Sequence, residues 1–111
     1  MLEYLFANKN VEKILMYLNL HEKANASELS RAFKSSLDPI QKTLRKLEEG
    51  GLLVSFLEGK TRIFRWNPRY PFLREIQLVA EKAYTYLPSE IQEIYYKKTK
   101  RKRPRKSGKS F

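Results

Sequence analysis

Between Ser27 and Pro68 the hydrophobic period switches from helical to alternating and is then stopped by proline, an order that few small folds accommodate. Asn25, with Glu28 three residues on, forms a capping-box-like start for a helix running through Phe33, with Leu29, Ala32 and Phe33 as its inner face. After a short connection, Lys34 to Ser36, a further helix begins at Ser36 or Asp38, because Pro39 needs no N–H in a first turn. Ile40, Leu44 and Leu47 fall at i, i+4 and i+7 along it, and Gly50-Gly51 ends it. Two strand-like runs follow, Leu52 to Leu57 and Arg62 to Trp66, around a connection Glu58-Gly59-Lys60-Thr61. Asn67-Pro68 and Tyr70-Pro71 then break the pairing, since proline cannot donate to a ladder.

The flanks are helical by the same reasoning. Val11, Ile14, Leu15 and Leu18 form one stripe behind a cap at Asn8, predicting a helix over Lys9 to Leu20, and His21 to Ala24 reads as a polar connection. Leu2, Leu5 and Phe6 make a short apolar segment, helical or extended, free to pack on the body or on another subunit. Phe72 to Leu87 carries an apolar stripe wider than a small core requires, so it offers a second, dimerising interface. Pro88 closes that helix, and Ser89 with Gln92 reads as a capping box for a last one bearing Ile91, Ile94 and Tyr95. The fold class is therefore mainly α with a small β-hairpin, a winged helix-turn-helix with one or two extra C-terminal helices. One domain spans residues 1–96, and residues 97–111 form a basic tail expected to be disordered.

Charge is unevenly placed. Of the net +11, Lys97 to Lys109 contributes nine cations and no acid. Arg31 to Arg74 holds 10 Lys or Arg against 4 Asp or Glu, whereas the remainder of residues 1–96 has 4 against 8. Basic charge thus collects where a nucleic-acid surface is expected. There is no Cys, so neither a disulfide framework nor a thiolate metal site forms, and redox chemistry through cysteine is excluded. No apolar run approaches the roughly 18 residues that cross a bilayer, and Met1-Leu2-Glu3-Tyr4 lacks a basic region followed by an apolar core, so no secretory signal is expected. The expected setting is soluble and cytoplasmic, associated with the nucleoid, with no membrane partner.

The candidate DNA-reading element is the helix at about 36–49, with Ser36, Asp38, Gln41, Lys42, Arg45 and Lys46 facing outward. Gln pairs with adenine and Arg with guanine through two hydrogen bonds, whereas Lys more often meets phosphate. Glu48 and Glu49, at the far end, would repel DNA, which directs the reading surface to the N-terminal half. An amphipathic helix with a merely solvated polar face is the competing reading. The hairpin at about 52–66 is the candidate wing, with Lys60, Thr61 and Arg62 meeting phosphates or the minor groove, or simply solvating a turn. Phe56, Phe64 and Trp66 are assigned to core packing by their alternation, and Arg65 to the opposite face.

In the tail, Lys97, Lys98, Lys100, Arg101, Lys102, Arg103, Arg105 and Lys106 would contact phosphate without reading sequence; a solubilising terminus, or a nuclear address in a eukaryote, is the alternative. His21 has no second ligand nearby, and the acids do not converge in sequence, so the expectation is no enzyme, no metal and no cofactor.

Leu5 to Asn8, Glu28-Leu29-Ser30-Arg31, Ile40 to Gly51, Leu52-Leu53 and Arg65-Trp66-Asn67-Pro68 together resemble prokaryotic winged-helix transcriptional regulators of the arsenic-repressor-like type, over roughly residues 5–87. The resemblance implies a prokaryotic, homodimeric repressor whose recognition helix enters the major groove of double-stranded DNA, whose hairpin forms the wing, and whose terminal helices pair the subunits. Metal-sensing members of that family carry a cysteine ligand motif that this chain lacks. The function expected is sequence-specific regulation of transcription. The alternative, from another class, is a winged-helix scaffold docking onto a protein or RNA assembly, with the tail binding nucleic acid nonspecifically.

Overall fold

The computed structural model describes residues 8–97, the side chain of Lys97 excepted. The expectations for Leu2, Leu5, Phe6 and, beyond Lys97, the cationic tail therefore lie outside the described residues; Lys97, the first residue of that expected tail, ends a helical segment instead. Within them the architecture is mainly helical, with one small three-stranded antiparallel sheet.

Helix α1, Lys9–His21, starts where Asn8 Oδ1 accepts the Val11 N–H at 3.0 Å, one of the first-turn donors a helix cannot satisfy itself. The expected stripe is buried, and Met16 and Tyr17 are buried too, so α1 is the central helix rather than a one-sided one. The chain leaves α1 through Glu22, at φ 72°. What was expected to be a polar connection then contains a strand, β1 (Lys23–Asn25), and His21 itself belongs to α1.

Helix α2, Ala26–Phe33, is capped as expected by Asn25 Oδ1, which accepts the Glu28 N–H at 2.8 Å. It ends on Lys34 in the left-handed region at φ 55°, with the Ser35 N–H returning to the Ser30 carbonyl. Helix α3, Leu37–Glu49, buries Ile40, Thr43 and Leu44, and Thr43 Oγ1 donates to the Pro39 carbonyl at 3.0 Å. Its C-terminus is a complete Schellman turn: the Gly51 N–H bonds Glu48 O at 3.0 Å and the Leu52 N–H bonds Leu47 O at 3.1 Å, with Gly51 at φ 88°.

Strands β2 (Leu53–Glu58) and β3 (Thr61–Trp66) form the expected hairpin, but Glu58 and Thr61 are paired, leaving Gly59-Lys60 as a two-residue loop. Gly59 at φ 65° supplies the positive φ that such a tight turn needs at its first position. The sheet order is β1-β3-β2, and β1 joins only at Ile63 to Arg65. Among the described residues the hairpin tip is therefore two strands with no third neighbour. Asn67 anchors the exit, its Nδ2 donating to Gly51 O at 2.7 Å and its N–H to Leu52 O at 2.9 Å.

Helix α4, Leu73–Thr85, lies against α1 through Ala80 and Ala83, small residues that admit close approach. The capping box expected at Ser89 does not form. Pro88 takes the cap position without a side-chain bond, and Gln92 Nε2 instead donates backward to Tyr84 O at 3.0 Å and Leu87 O at 3.2 Å, closing the end of α4. A single turn, α5 (Ser89–Ile91), then widens into a π-helical segment, Gln92–Lys97. That segment returns to the core. Tyr96 is buried with its ring 5.7 Å from Phe33 and 5.3 Å from Tyr84, and its carbonyl lies 2.7 Å from His21 Nε2.

Candidate nucleic-acid interface

Three elements converge on one groove of about 550 Å³. The start of α2 contributes Asn25, Ala26 and Ser27, α3 contributes Gln41, Leu44, Arg45 and Glu48, and the hairpin contributes Lys60, Thr61, Arg62 and Phe64. Each position has a local cause. Gln41, Arg45 and Glu48 follow one another at i, i+4 and i+7 and so share a flank of α3, while Leu44 on the same side turns inward as core. The two-residue turn at Gly59 brings Lys60 to the rim. The first N–H groups of α2, at Ala26 and Ser27, have no partner within their own helix and lie at the groove edge.

The residues singled out in sequence divide into two sets. Gln41, Arg45, Lys60, Thr61 and Arg62 line the groove together. Ser36, Asp38, Lys42 and Lys46 are exposed but do not line it. Ser36 occupies the α3 cap position without a side-chain cap bond, and Lys42 pairs with Asp38 at 3.4 Å across one helical turn. Both partners of that pair are largely in water, so it is worth only a few tenths of a kcal/mol, roughly 0.3 to 0.5. It nevertheless occupies a cation expected to be free for nucleic acid.

Glu48, set aside as lying at the wrong end of the helix, is in the groove. Its Oε2 accepts a hydrogen bond from Ser55 Oγ at 2.7 Å, and the same hydroxyl accepts one from Arg62 Nη1 at 2.9 Å. The i, i+4, i+7 spacing of Gln41, Arg45 and Glu48 is the sequence signal for this placement, although the charge of Glu48 alone points away from it.

Phe56 corrects the core assignment. Phe64 is buried and Trp66 half-buried on the helix-facing side of the sheet, but Phe56 pairs with Ile63 on the other face and is 38% exposed. The Arg65 guanidinium stands 5.7 Å from its ring centroid, a cation–π contact on the outer sheet face.

Away from the groove, burial raises the Tyr96 hydroxyl well above the ordinary tyrosine range, reinforced by the charge of Glu12 and by Tyr84. Tyr84 is raised by burial and then by Glu93. A second recess, of about 380 Å³, lies between α1 and α4, where Asn19 Nδ2 donates to Gln77 O at 2.9 Å, and it gathers none of the sequence-nominated residues. Among the described residues no three His, Asp or Glu side chains come together as a metal site, and no helix is long and apolar enough to cross a membrane. Compared with known proteins, the chain matches no family model, no curated protein and no solved structure.

Proposed function

We propose that this chain is a winged helix-turn-helix, sequence-specific DNA-binding regulator that represses transcription by occupying its site. The observation that carries the reading is the shared groove: a helix flank with one amide and one guanidinium, Gln41 and Arg45, opens toward a hairpin tip bearing Lys60. In this reading α2 and α3 are the helix-turn-helix, α3 enters the major groove, and β2–β3 is the wing. A B-form major groove is about 12 Å wide and admits one helix. Gln41 then reads adenine and Arg45 guanine, each bidentate pair discriminating by about 1 to 3 kcal/mol, while Lys60 meets a phosphate. The arsenic-repressor-like resemblance and the excess of cations between Arg31 and Arg74 support the same reading.

The reading includes a homodimer. Leu78 and Val79 are exposed on α4 beside the face that packs on α1, and Phe72 and Tyr86, the residues flanking the helix at its two ends, are exposed as well. An antiparallel pairing of two α4 helices about Leu78 and Val79 would set Glu75 of one copy opposite Lys82 of the other, twice, as a two-fold axis requires. The tail adds phosphate contacts that raise affinity and salt dependence without choosing sequence.

Binding of the Arg45→Ala chain to a selected site and to a scrambled duplex tests the reading. Loss of preference on the selected site, with nonspecific affinity little changed, supports it. Equal loss on both duplexes favours the scaffold alternative.

A further inference from the structure

We propose that Arg62 is a positioning residue that holds the hairpin against α3, and that it does not take a phosphate itself. The inference rests on the DNA-binding reading only for what the groove receives; the strut is a property of the free chain.

Three side chains make the strut. Ser55 lies in the middle of β2, on the sheet face shared with Phe64, and its hydroxyl donates its single proton to Glu48 Oε2 at 2.7 Å. Its lone pair accepts from Arg62 Nη1 at 2.9 Å. The relay therefore runs from a cation through a hydroxyl to an anion, so both bonds are charge-assisted. It joins the last turns of α3 to both strands of the hairpin.

Its place explains its use. Among the described residues, strand β1 supports β3 only from Ile63 to Arg65, so beyond Ile63 the hairpin is a two-stranded ribbon, an element with little stability of its own in water. Arg62 stands at the first position past that support, where a link to α3 has most leverage on the direction of the tip. Lys60 is then presented at a fixed angle to Gln41 and Arg45 rather than swinging.

The same link resolves the presence of an acid in a groove meant for DNA. Glu48 alone would repel phosphates; with Arg62 tied to it through Ser55, the two charges offset each other. Among the described residues, Arg45 and Lys60 remain as the groove cations available to nucleic acid.

Two measurements on the full-length chain separate this role from phosphate binding. The first is amide hydrogen exchange across residues 56–62 in the DNA-free protein, for the parent, Ser55→Ala, Arg62→Ala and Lys60→Ala. The second is the salt dependence of affinity for a mixed-sequence duplex of about 20 base pairs, a length that covers two half-sites one turn apart. Loss of a charge-assisted bond should speed exchange about fivefold in Ser55→Ala and Arg62→Ala and leave Lys60→Ala near the parent. Lys60→Ala should reduce the slope of log affinity on log salt by about 0.9, the value of one phosphate contact, and Arg62→Ala should leave the slope unchanged. Unchanged exchange in Ser55→Ala and Arg62→Ala, or a slope loss of about 0.9 in Arg62→Ala, overturns the proposal. A parent chain that binds no duplex sinks the DNA reading instead, while the exchange data still decide the strut.

Discussion

The Tyr17 hydroxyl donates to Glu28 Oε2 at 2.5 Å, linking the middle of α1 to the first turn of α2. Tyr17 is completely buried, and its ring also lies 4.1 Å from His21 and 5.8 Å from Phe33. One side chain thus joins the central helix to the helix that opens the groove. A bond to a carboxylate is stronger than a neutral one, although Glu28 is only half-buried. Tyr17→Phe, which keeps the ring and removes the donor, should lower unfolding free energy by about 1 to 2 kcal/mol in urea titration at unchanged slope. An unchanged midpoint would show that the bond contributes nothing.

Two left-handed residues make a paired test of the turns around α3. Lys34 ends α2 at φ 55°, a conformation that an L side chain adopts at a cost of about 1 to 2 kcal/mol and glycine without it. Lys34→Gly should stabilise by about 0.5 to 1 kcal/mol, part of the gain being lost to unfolded-state entropy. Gly51 sits at φ 88° after α3, and Gly51→Ala should destabilise by about 1 to 2 kcal/mol. In thermal unfolding each 1 kcal/mol moves Tm by about 4 to 8 °C for a domain of this size. The same sign for both variants would contradict the turn assignment.

The Tyr96 hydroxyl ionises at higher pH in the folded chain than in the unfolded one, because burial, then Glu12, then Tyr84 oppose its charged form. The sign follows by linkage: the unfolded state releases this proton first, so stability is complete below about pH 10, the unfolded value, and falls as pH rises past it. Denaturant titrations between neutral pH and about pH 11 should show a steeper alkaline decline for the parent than for Tyr96→Phe. Parallel declines would place the alkaline sensitivity elsewhere.

The exposed Leu78 and Val79 of α4, with Phe72 and Tyr86 at its two ends, predict self-association. Light scattering at micromolar concentration should give twice the 13.2 kDa chain mass, and Val79→Glu should return it to one chain with helicity unchanged. A single-chain mass for the parent would remove the dimer from the account.

Much of the architecture was readable because local chemistry and global packing agree. Asn8 and Asn25 cap the helices their sequence positions announce, and Gly50-Gly51 stops α3 where its apolar stripe ends. Strand β1 was not readable: three residues with one buried alanine carry no period, and only pairing with Ile63 to Arg65 makes them a strand. Gln92 matched a capping-box spacing, yet the carbonyls of Tyr84 and Leu87 lie nearer in space than the backbone it was expected to cap. Alternation puts Phe64 and Trp66 on one face of β3, but whether Phe56 of β2 shares that face depends on the register, which pairs it with Ile63 and puts it outside. Within the groove, spacing locates Gln41 and Arg45, but the bonding that accommodates Glu48 there is not legible in sequence, because the Ser55 hydroxyl that bonds it and the Arg62 cation behind that hydroxyl are seven and fourteen positions away and come together only in the folded hairpin.

The most direct measurement is selection of binding sites from random duplex DNA by the full-length chain at fixed salt, with Gln41→Ala and Arg45→Ala run in parallel. The account predicts an enriched, near-palindromic motif with half-sites about 34 Å apart, in which Gln41→Ala relaxes an adenine position and Arg45→Ala a guanine position. No enriched motif from the parent chain, or identical motifs from parent and both variants, would contradict it.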